Sequence, residues 1–576
     1  MRRGLPLLVA FALATAAAPR ARALDTIGVD EIKAGMTGYG LSVFSGTKIE
    51  RFRVTVVGIL KDAFPGQHMV LARLAKWDDT SFDVVHTGVI AGMSGSPIYL
   101  GEPPRLAGAL AYGWSFNKEP VCGITPIANM MAEQARPYAE ASGAWLPRPA
   151  AGSGMLVPVA TPLVVCGMGR RAFARLKDEL KDTGLEPCEG GSGSGGGGGD
   201  PTELAKLCTA GGAVAVSFAT GDMEMSAVGT ITYVDGAQVV AFGHPFLLAG
   251  EVSMPMAPAT IDYVVSTLQR AFKLGSPLGT VGRLEHDRQA AVVGRIGKTA
   301  PMVEFTARLR HRQAKTDRTF RCKAVDHPFF TPMICNMALG SFIEVAEPNT
   351  RDYALHYTLR LTLAGRKDPV VYTDVSADSG DIYGGRMLGA LNMLWNNALE
   401  RARIQKVELD AEIVTGDHAA RIAGLTIHPV APRAGETVTI DVALVRKDLP
   451  DARATVTLAL PKDLAPGPYV ITVVGGDGYR APAPAARDLT QLIAGLGRLE
   501  RGNALLAVLD LPRIQLDHGG IPLPNLPHSA LGALLPTSRA ADLGAAPVDM
   551  VARTLTPFVI QGQMQIAIEV KGGIVK

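Results

Sequence analysis

The first part of the chain alternates between apolar and polar residues in the way that half-buried β-strands do. Predicted strands cover residues 38–44, 51–60, 69–74 and 106–112, and turn residues such as Ser45-Gly46 separate them. Short strands joined by turns predict a compact β unit.

A second group of strands begins after a run of glycines. Residues 190–199 are only glycine and serine, a composition typical of a flexible linker. Beyond this run, residues 213–217, 225–233 and 238–242 have strand character, and an apolar stripe at 387–399 predicts a helix that closes the unit.

The C-terminal region repeats the alternating pattern without any motif that carries chemistry. Residues 436–444, 454–460 and 468–474 predict half-buried strands of a β-sandwich, which favours a binding or spacing role. A chain of 576 residues is too long for one core. We therefore expect a mainly β protein with a few helices, divided into a signal peptide (1–23), a β unit (24–188), a glycine-rich linker (189–200), a second β unit (201–410) and a C-terminal β-sandwich-like accessory domain (411–576).

Residues 1–23 have the three parts of a signal peptide. Arg2 and Arg3 provide the positive start, residues 5–18 are apolar, and Ala21-Arg22-Ala23 is a cleavage site of the small-x-small type. The apolar stretch is too short for a stable membrane anchor, and no cysteine follows the cleavage point. We expect an exported protein, periplasmic or secreted, that begins at Leu24 and keeps no membrane anchor.

The charge of the chain argues against nucleic-acid binding. The net charge is +3, and removal of the four arginines within residues 1–23 leaves −1. A nearly neutral chain without a basic block has no electrostatic footprint for nucleic acid.

The six cysteines all lie in the exported part of the chain, where an even number favours disulfides. Local spacing favours Cys188 with Cys208, across the glycine run, and Cys322 with Cys335. A zinc site is the weaker alternative, because no Cys-x-x-Cys or His-x-x-x-His spacing accompanies them. We expect no metal and no cofactor.

One stretch, Gly92-Met93-Ser94-Gly95-Ser96-Pro97, has a spacing that dictates chemistry. Apolar residues at 89–90 predict a strand that enters the turn, and residues 97–100 predict a strand that leaves it. This Gly-x-Ser-Gly-x-Pro pattern is typical of chymotrypsin-like serine peptidases, where the first glycine lets two amides, here of Gly92 and Ser94, point at one oxyanion. The alternative is a glycine- and serine-rich hairpin that only reverses the chain.

At these residues the chain resembles the SpoIVB peptidase family, serine peptidases best known from bacterial sporulation signalling. A second match runs from Gly229 to Gly243-His244. The resemblance spans about residues 35 to 300 and implies a chymotrypsin-like pair of β-barrel halves, with Ser94 as the nucleophile and His244 as the general base. It also implies that Asp79, fifteen residues before the serine, orients the histidine.

The chain departs from the family pattern in three ways. The serine half precedes the histidine half, no PDZ-like segment comes before the site, and residues 246–248 replace the family's aspartate after the histidine. Triads tolerate any chain order, because geometry defines them. Asp83 and His86 remain alternative partners of the serine, although loop aspartates are more often turn or capping residues.

These patterns predict an exported serine endopeptidase-like protein that forms an acyl-enzyme on a protein or peptide substrate. The rival from a different class is a non-catalytic envelope binding or assembly protein that keeps a peptidase-like scaffold. A hydrogen bond between the Ser94 hydroxyl and His244 would discriminate between them. Cleavage specificity and oligomeric state stay open at this level.

Overall fold

The computed structural model describes residues 24–572, except for 79, 115–118, 140–155, 182, 191–198, 268–269, 347–351, 378–385, 417, 448, 482–485, 519–520, 524–525 and 535–542. The expectation of a mainly β protein that contains a β-barrel is confirmed. The predicted signal peptide and most of the glycine-rich linker lie outside the described residues.

The first β unit is a closed ring of six antiparallel strands. Its strands are β1 (Thr37–Ser45), β2 (Lys48–Phe64), β3 (Gln67–Ala75), β4 (Pro97–Leu100), β5 (Arg105–Gly113) and β6 (Val121–Pro126). They pair in the order β1-β2-β3-β6-β5-β4, and β4 returns to β1. A two-residue strand, β7 (Val157–Pro158), pairs with β5 outside the ring. The alternation expected from the sequence is clear in β2, where every second residue from Glu50 to Val56 is buried in the ring.

The second β unit is a larger sheet that also contains a closed ring. Its strands are β8 (Thr161–Cys166), β9 (Leu185–Glu189), β10 (Ala213–Gly221), β11 (Glu224–Asp235), β12 (Gln238–Ala241), β13 (Gly250–Val265), β14 (Phe272–Pro277), β15 (Gly282–Asp287), β16 (Val292–Ile296), β17 (Met302–His311), β18 (Thr316–Val325), β19 (Tyr353–Leu363), β20 (Val370–Ser376) and β21 (Ile404–Thr415). The antiparallel pairings β10-β13-β15-β16-β12-β11 close on themselves, because β11 also pairs with β10. Strands β17 to β21 extend this sheet from β10 through β18, so the boundary expected at 410 falls inside β21, and the unit continues to Thr415. The boundary expected at 188 also moves, because β8 and β9 lie within the expected first unit but pair in this sheet.

The C-terminal strands form two sheets around one core. One sheet holds β22 (Ala419–His428), β23 (Thr437–Arg446), β24 (Leu449–Ala459) and β29 (Val559–Gln561), and the other holds β25 (Gly467–Gly475), β26 (Ala504–His518), β27 (Ile521–Leu523), β28 (Leu543–Leu555) and β30 (Gln563–Val570). Buried residues of both sheets, such as Val438 and Leu509, belong to one cluster. Two sheets that share a core form a sandwich.

The helices are few and lie around the sheets. Within the described residues they are α1 (Val84–Thr87), α2 (Ile127–Gln134), α3 (Arg170–Leu180), α4 (Pro201–Ala205), α5 (Phe330–Ala346), α6 (Arg386–Trp395), α7 (Leu489–Leu496) and α8 (His528–Leu534), with a 3₁₀ turn at Val29–Glu31. Helix α5 was not expected, because it is buried on every side from Phe330 to Ile343 and therefore has no amphipathic stripe.

The two rings share a hydrophobic core. Ile98 and Leu110 of the first ring belong to the same buried cluster as Ala215, Val228 and Ile261 of the second. Isolated bridges join Gly46 to Ile261 and Ala91 to Phe272. We call this contact between the rings the seam.

Candidate functional site

The predicted nucleophile turn lies at the seam, between α1 and β4. The strand expected at 89–90 is wrong: Asp83 caps α1 by accepting a hydrogen bond from the Val85 amide, and Gly88 ends the helix with a φ of +70°. The chain then enters a turn in which Gly92 and Gly95 both have a φ of +94°. Because glycine adopts this conformation without strain, the two glycines of the motif set the shape of the turn.

Two threonines of β11 hold the turn against the second ring. The Thr230 amide donates to the Ser94 carbonyl at 2.9 Å, and the Thr230 hydroxyl donates to the Gly92 carbonyl at 2.9 Å. The Thr232 hydroxyl donates to the Gly95 carbonyl at 2.8 Å. A Cβ on Gly95 would lie 1.9 Å from the Thr230 carbonyl oxygen, so no larger residue fits there. The turn therefore depends on both rings.

Ser94 is fully buried, and its hydroxyl has no hydrogen-bond partner within the described part of the chain. The amides of Met93, Gly95 and Ser96 donate to the carbonyls of nearby residues. By contrast, the amides of Gly92 and Ser94 donate to no acceptor among the described residues. These are the two amides that the sequence assigned to the oxyanion hole. A buried donor without a partner is unusual in a folded protein and marks a place where a ligand atom is accommodated at low cost.

His244 follows β12 in a second sharp turn, in which Phe242 and Gly243 have φ values of +67° and +70°. Its side chain is 2 % exposed and contacts the rings of Tyr112 and Phe242 edge-on. The Thr125 hydroxyl donates to the Gly243 carbonyl at 2.5 Å, which fixes this turn to the first ring.

Thr230 connects the two turns directly. Its amide donates to the Ser94 carbonyl, and its own carbonyl accepts from the Phe242 amide at 3.3 Å. The segments that carry Ser94 and His244 are thus joined by one intervening residue, although 150 positions separate them in the chain. The structure brings the two predicted segments together at the seam.

The imidazole of His244 has a defined tautomer. Its Nδ1 lies 2.7 Å from the Pro245 carbonyl oxygen, which can only accept, so Nδ1 carries the proton and Nε2 of the neutral ring carries the lone pair. That is the form a general base needs. No hydrogen bond joins Nε2 to the Ser94 hydroxyl in this conformation.

The other predicted partners of the serine lie elsewhere. Asp79 falls outside the described residues. His86 is exposed on α1, and Asp83 caps the same helix. Neither His86 nor Asp83 forms a hydrogen bond with Ser94.

Sequence reasoning missed Asp287, at the end of β15. Its buried carboxylate accepts hydrogen bonds from the amides of Phe246 (2.7 Å), Leu247 (2.6 Å) and Ala249 (3.1 Å). It therefore organises the loop that directly follows His244. Nothing near Asp287 in the sequence marks this role, because its partners lie about forty residues away.

Sequence reasoning also missed Lys273, on β14, directly beneath the serine turn. Its amide donates to the Ala91 carbonyl at 3.1 Å, and its ammonium group lies 2.8 Å from the Ser42 hydroxyl. The side chain is fully buried, and burial lowers the pKa of Lys273 from 10.5 to about 7. The Ser96 hydroxyl in turn donates to Ser42 at 3.1 Å. A lysine is normally exposed, so only the fold reveals this position.

No disulfide joins the described cysteines. Burial raises the pKa of Cys335 well above its usual value, and the Cys322 thiol raises it further, so these two groups are neighbours as the spacing suggested. Cys188 packs against the core shared by the rings, whereas Cys208 lies in the core of the second unit. Burial, Glu186 and then the Cys166 thiol raise the pKa of Cys188 to about 12, which places Cys166 beside it.

Comparisons with models of protein families, with curated proteins and with solved structures find no match for this chain. The resemblance to the sporulation peptidases therefore depends on the residues named above. Among the described helices, none combines the length and apolar character that crossing a membrane requires.

Proposed function

We propose that this protein is an exported serine endopeptidase with a chymotrypsin-like pair of barrels, in which Ser94 is the nucleophile and His244 the general base. The observation that carries the proposal is that the amides of Gly92 and Ser94 donate to no acceptor among the described residues, and that the Ser94 hydroxyl also has no hydrogen-bond partner there. In a purely structural hairpin, these buried groups would be paired.

The chemistry needs the Ser94 hydroxyl and Nε2 of His244, which form no hydrogen bond in this conformation, to come into contact. Rotation of the Ser94 hydroxyl toward Nε2 of His244 lets the imidazole take the proton as the oxygen attacks a peptide carbonyl. The amides of Gly92 and Ser94 then stabilise the oxyanion of the tetrahedral intermediate. The imidazolium returns the proton to the leaving amine. The loop organised by Asp287 holds the histidine segment during these steps, and Asp79 is the carboxylate that the family resemblance assigns to orient the ring.

A second candidate function is a binding or envelope-assembly protein on the same scaffold. The burial of the site favours it, since Ser94 is fully buried and His244 is 2 % exposed. A peptide reaches these groups only if the seam opens, whereas a scaffold needs no opening. The two candidates differ in whether the serine reacts.

Covalent labelling tests the proposal on the protein from Leu24 to its C-terminus. A fluorophosphonate should modify Ser94, as located by peptide sequencing in a mass spectrometer. His244→Ala should slow formation of the Ser94 adduct by roughly 100-fold or more, because a general base contributes about that factor. Asp79→Asn should leave a residual rate, since an orienting carboxylate often matters less than the base.

His86→Ala is the matched control, because this exposed histidine should leave the labelling of Ser94 unchanged. If His86→Ala removes the Ser94 adduct and His244→Ala does not, the base lies in the serine's own segment and the assignment is wrong. Folded protein that forms no adduct on Ser94 between pH 6 and pH 9 would support the scaffold function instead.

A further inference from the structure

A second group of hydroxyls lies where the serine turn meets β1. Ser42 of β1 is its centre: the Ser96 hydroxyl donates to Ser42 at 3.1 Å, and Lys273 Nζ lies 2.8 Å from the same oxygen. The Thr230 hydroxyl is 3.5 Å away. Ser42, Ser96 and Lys273 are all fully buried, and we call these three residues the hydroxyl–lysine cluster.

The surroundings of Lys273 favour its neutral amine. Its stem packs against Gly92, where an added Cβ would lie 3.2 Å from the lysine Cδ. The contact of its nitrogen with the Phe44 ring, 5.5 Å from the ring centre, attracts the cation and offsets only part of the cost of burial. Burial is the cause that lowers the pKa of Lys273 to about 7, and within the described residues no carboxylate forms an ion pair with it. A neutral amine accepts a proton, so the Ser42 hydroxyl can donate to it while Ser42 accepts from Ser96.

We propose that Ser96 is a second reactive hydroxyl of this protein, activated by Lys273 through Ser42, and that it accepts an acyl group from an ester or amide. The inference does not depend on Ser94 or His244, because the cluster shares no side chain with that pair. It assigns chemistry to both serines of the Gly-Met-Ser-Gly-Ser-Pro motif.

The proton path balances without any further reactant. As the Ser96 oxygen forms its bond to the acyl carbon, its proton moves to Ser42, whose own proton moves to Lys273 and makes the ammonium ion. When the bond from the acyl carbon to the leaving group breaks, the proton returns through Ser42 to the leaving oxygen or nitrogen. Water then releases the acyl group by the same relay.

A reagent must gain access to this buried site before Ser96 can react. The three side chains have no exposed surface, so an acyl donor reaches Ser96 only when the turn moves away from β1. The Ser96 hydroxyl joins the turn to β1 through its hydrogen bond to Ser42, while Thr230 and Thr232 of β11 donate to the carbonyls of the turn from the second ring. A compact reagent is therefore the appropriate probe.

The experiment uses the protein from residue 24 onward carrying Ser94→Ala, so that Ser96 is the serine under observation. A small dialkyl fluorophosphate should form an adduct on Ser96: the oxygen–phosphorus bond forms, fluoride leaves, and the Ser96 proton reaches Lys273. The rate should rise with pH through about 7, as the amine loses its proton. Addition of Lys273→Met should lower the rate by roughly 100-fold or more, the factor expected for loss of a general base.

Ser42→Ala provides a second variant that removes one oxygen and leaves the packing of the lysine intact. It should also lower the rate on Ser96. Lys298→Met, at an exposed lysine, is the matched control and should change nothing. The folded state of each variant is checked by circular dichroism.

The proposal is overturned if folded Ser94→Ala protein forms no adduct on Ser96, or if the Ser96 adduct forms equally fast without Lys273. Its failure and that of the proposed function are distinguishable, because one is read from Ser96 in the Ser94→Ala background and the other from Ser94 in the natural sequence.

Discussion

Single residues at the seam differ in how far the sequence reveals them. The turn that carries Ser94 could be predicted, because two glycines and a proline at fixed distances leave it few conformations. The burial of Lys273 could not be predicted, since its neighbours Phe272 and Leu274 do not distinguish a buried lysine from an exposed one. Its partners Ser42 and Ser96 are far away in the chain, and only tertiary structure brings their hydroxyls together.

The buried amine of Lys273 should make the stability of the protein depend on pH. Its pKa is about 7 in the folded protein and 10.5 in the reference state, so the unfolded chain binds more protons between these values. The free energy of unfolding should therefore rise with pH from about 7 to about 10, and below pH 7 the folded protein should bear the full cost of burying the charged amine.

Denaturant unfolding of the wild type and of Lys273→Met measures this effect. The free energy of unfolding of the variant minus that of the wild type should be larger at pH 6 than at pH 10, by on the order of a few kcal/mol. Ser42 and Phe44 of β1, Gly92 of the turn and Val264 of β13 surround the amine, and none of them titrates. A constant difference at all pH values would show that Lys273 is charged in the folded protein.

At the scale of elements, the strands were predictable and their closure was not. The hydrophobic pattern placed β1, β2, β3 and β5 nearly correctly. One face is buried in β2, where the residues alternate, whereas β5 is an apolar run that is buried on both faces. The entering strand at 89–90 failed because the Asp83 cap and Gly88 favour a short helix there. The contact of the turn with β11 depends on backbone carbonyls, which leave no trace in the side-chain pattern.

The loop after His244 should depend on the carboxylate of Asp287. Asp287→Asn leaves one acceptor oxygen for three amides and brings an NH₂ group toward N–H donors. The free energy of unfolding should fall by about 3 kcal/mol, because buried hydrogen bonds to a charged group contribute about 1.5–3 kcal/mol each.

Amide hydrogen exchange measures the local effect of Asp287→Asn on the loop. The amides of Phe246 and Leu247 should exchange faster in Asp287→Asn, and the adduct on Ser94 should form more slowly. Asp317→Asn, which removes an exposed ion pair with Arg308, is the control and should alter neither. Unchanged protection of Phe246 and Leu247 would mean that another group organises the loop.

At the scale of the whole molecule, the two rings and the predicted export to an oxidising compartment determine which cysteines can form disulfides. Cys322 of β18 and Cys335 of α5 are neighbours inside the second unit. The Cys188–Cys208 pair remains a prediction from spacing, but the two residues lie in different cores, and Cys166 is beside Cys188. The spacing of the two cysteines along the chain does not reveal that they pack in different cores.

Peptide mapping of the exported protein without reduction should find Cys322 joined to Cys335. For Cys188 we expect Cys166 as the partner, since β8 and β9 are paired strands and Cys166 lies two residues beyond Val164, the residue opposite Cys188. A bridge from Cys188 to Cys208 would have to join two residues that pack in different cores. Six alkylated thiols in protein taken from outside the cytoplasm would contradict both pairs.

The contact between the serine turn and Thr230 also determines when the site is assembled. During synthesis from the N-terminus, the first ring is complete before β11 exists, and Lys273 follows later still. The carbonyls of Gly92, Ser94 and Gly95 then have no partners, and the turn cannot hold its final shape. A chain that is still being synthesised thus carries the serine turn in an incomplete form, and the proposed site is assembled only after β11 and β14 have folded against the first ring.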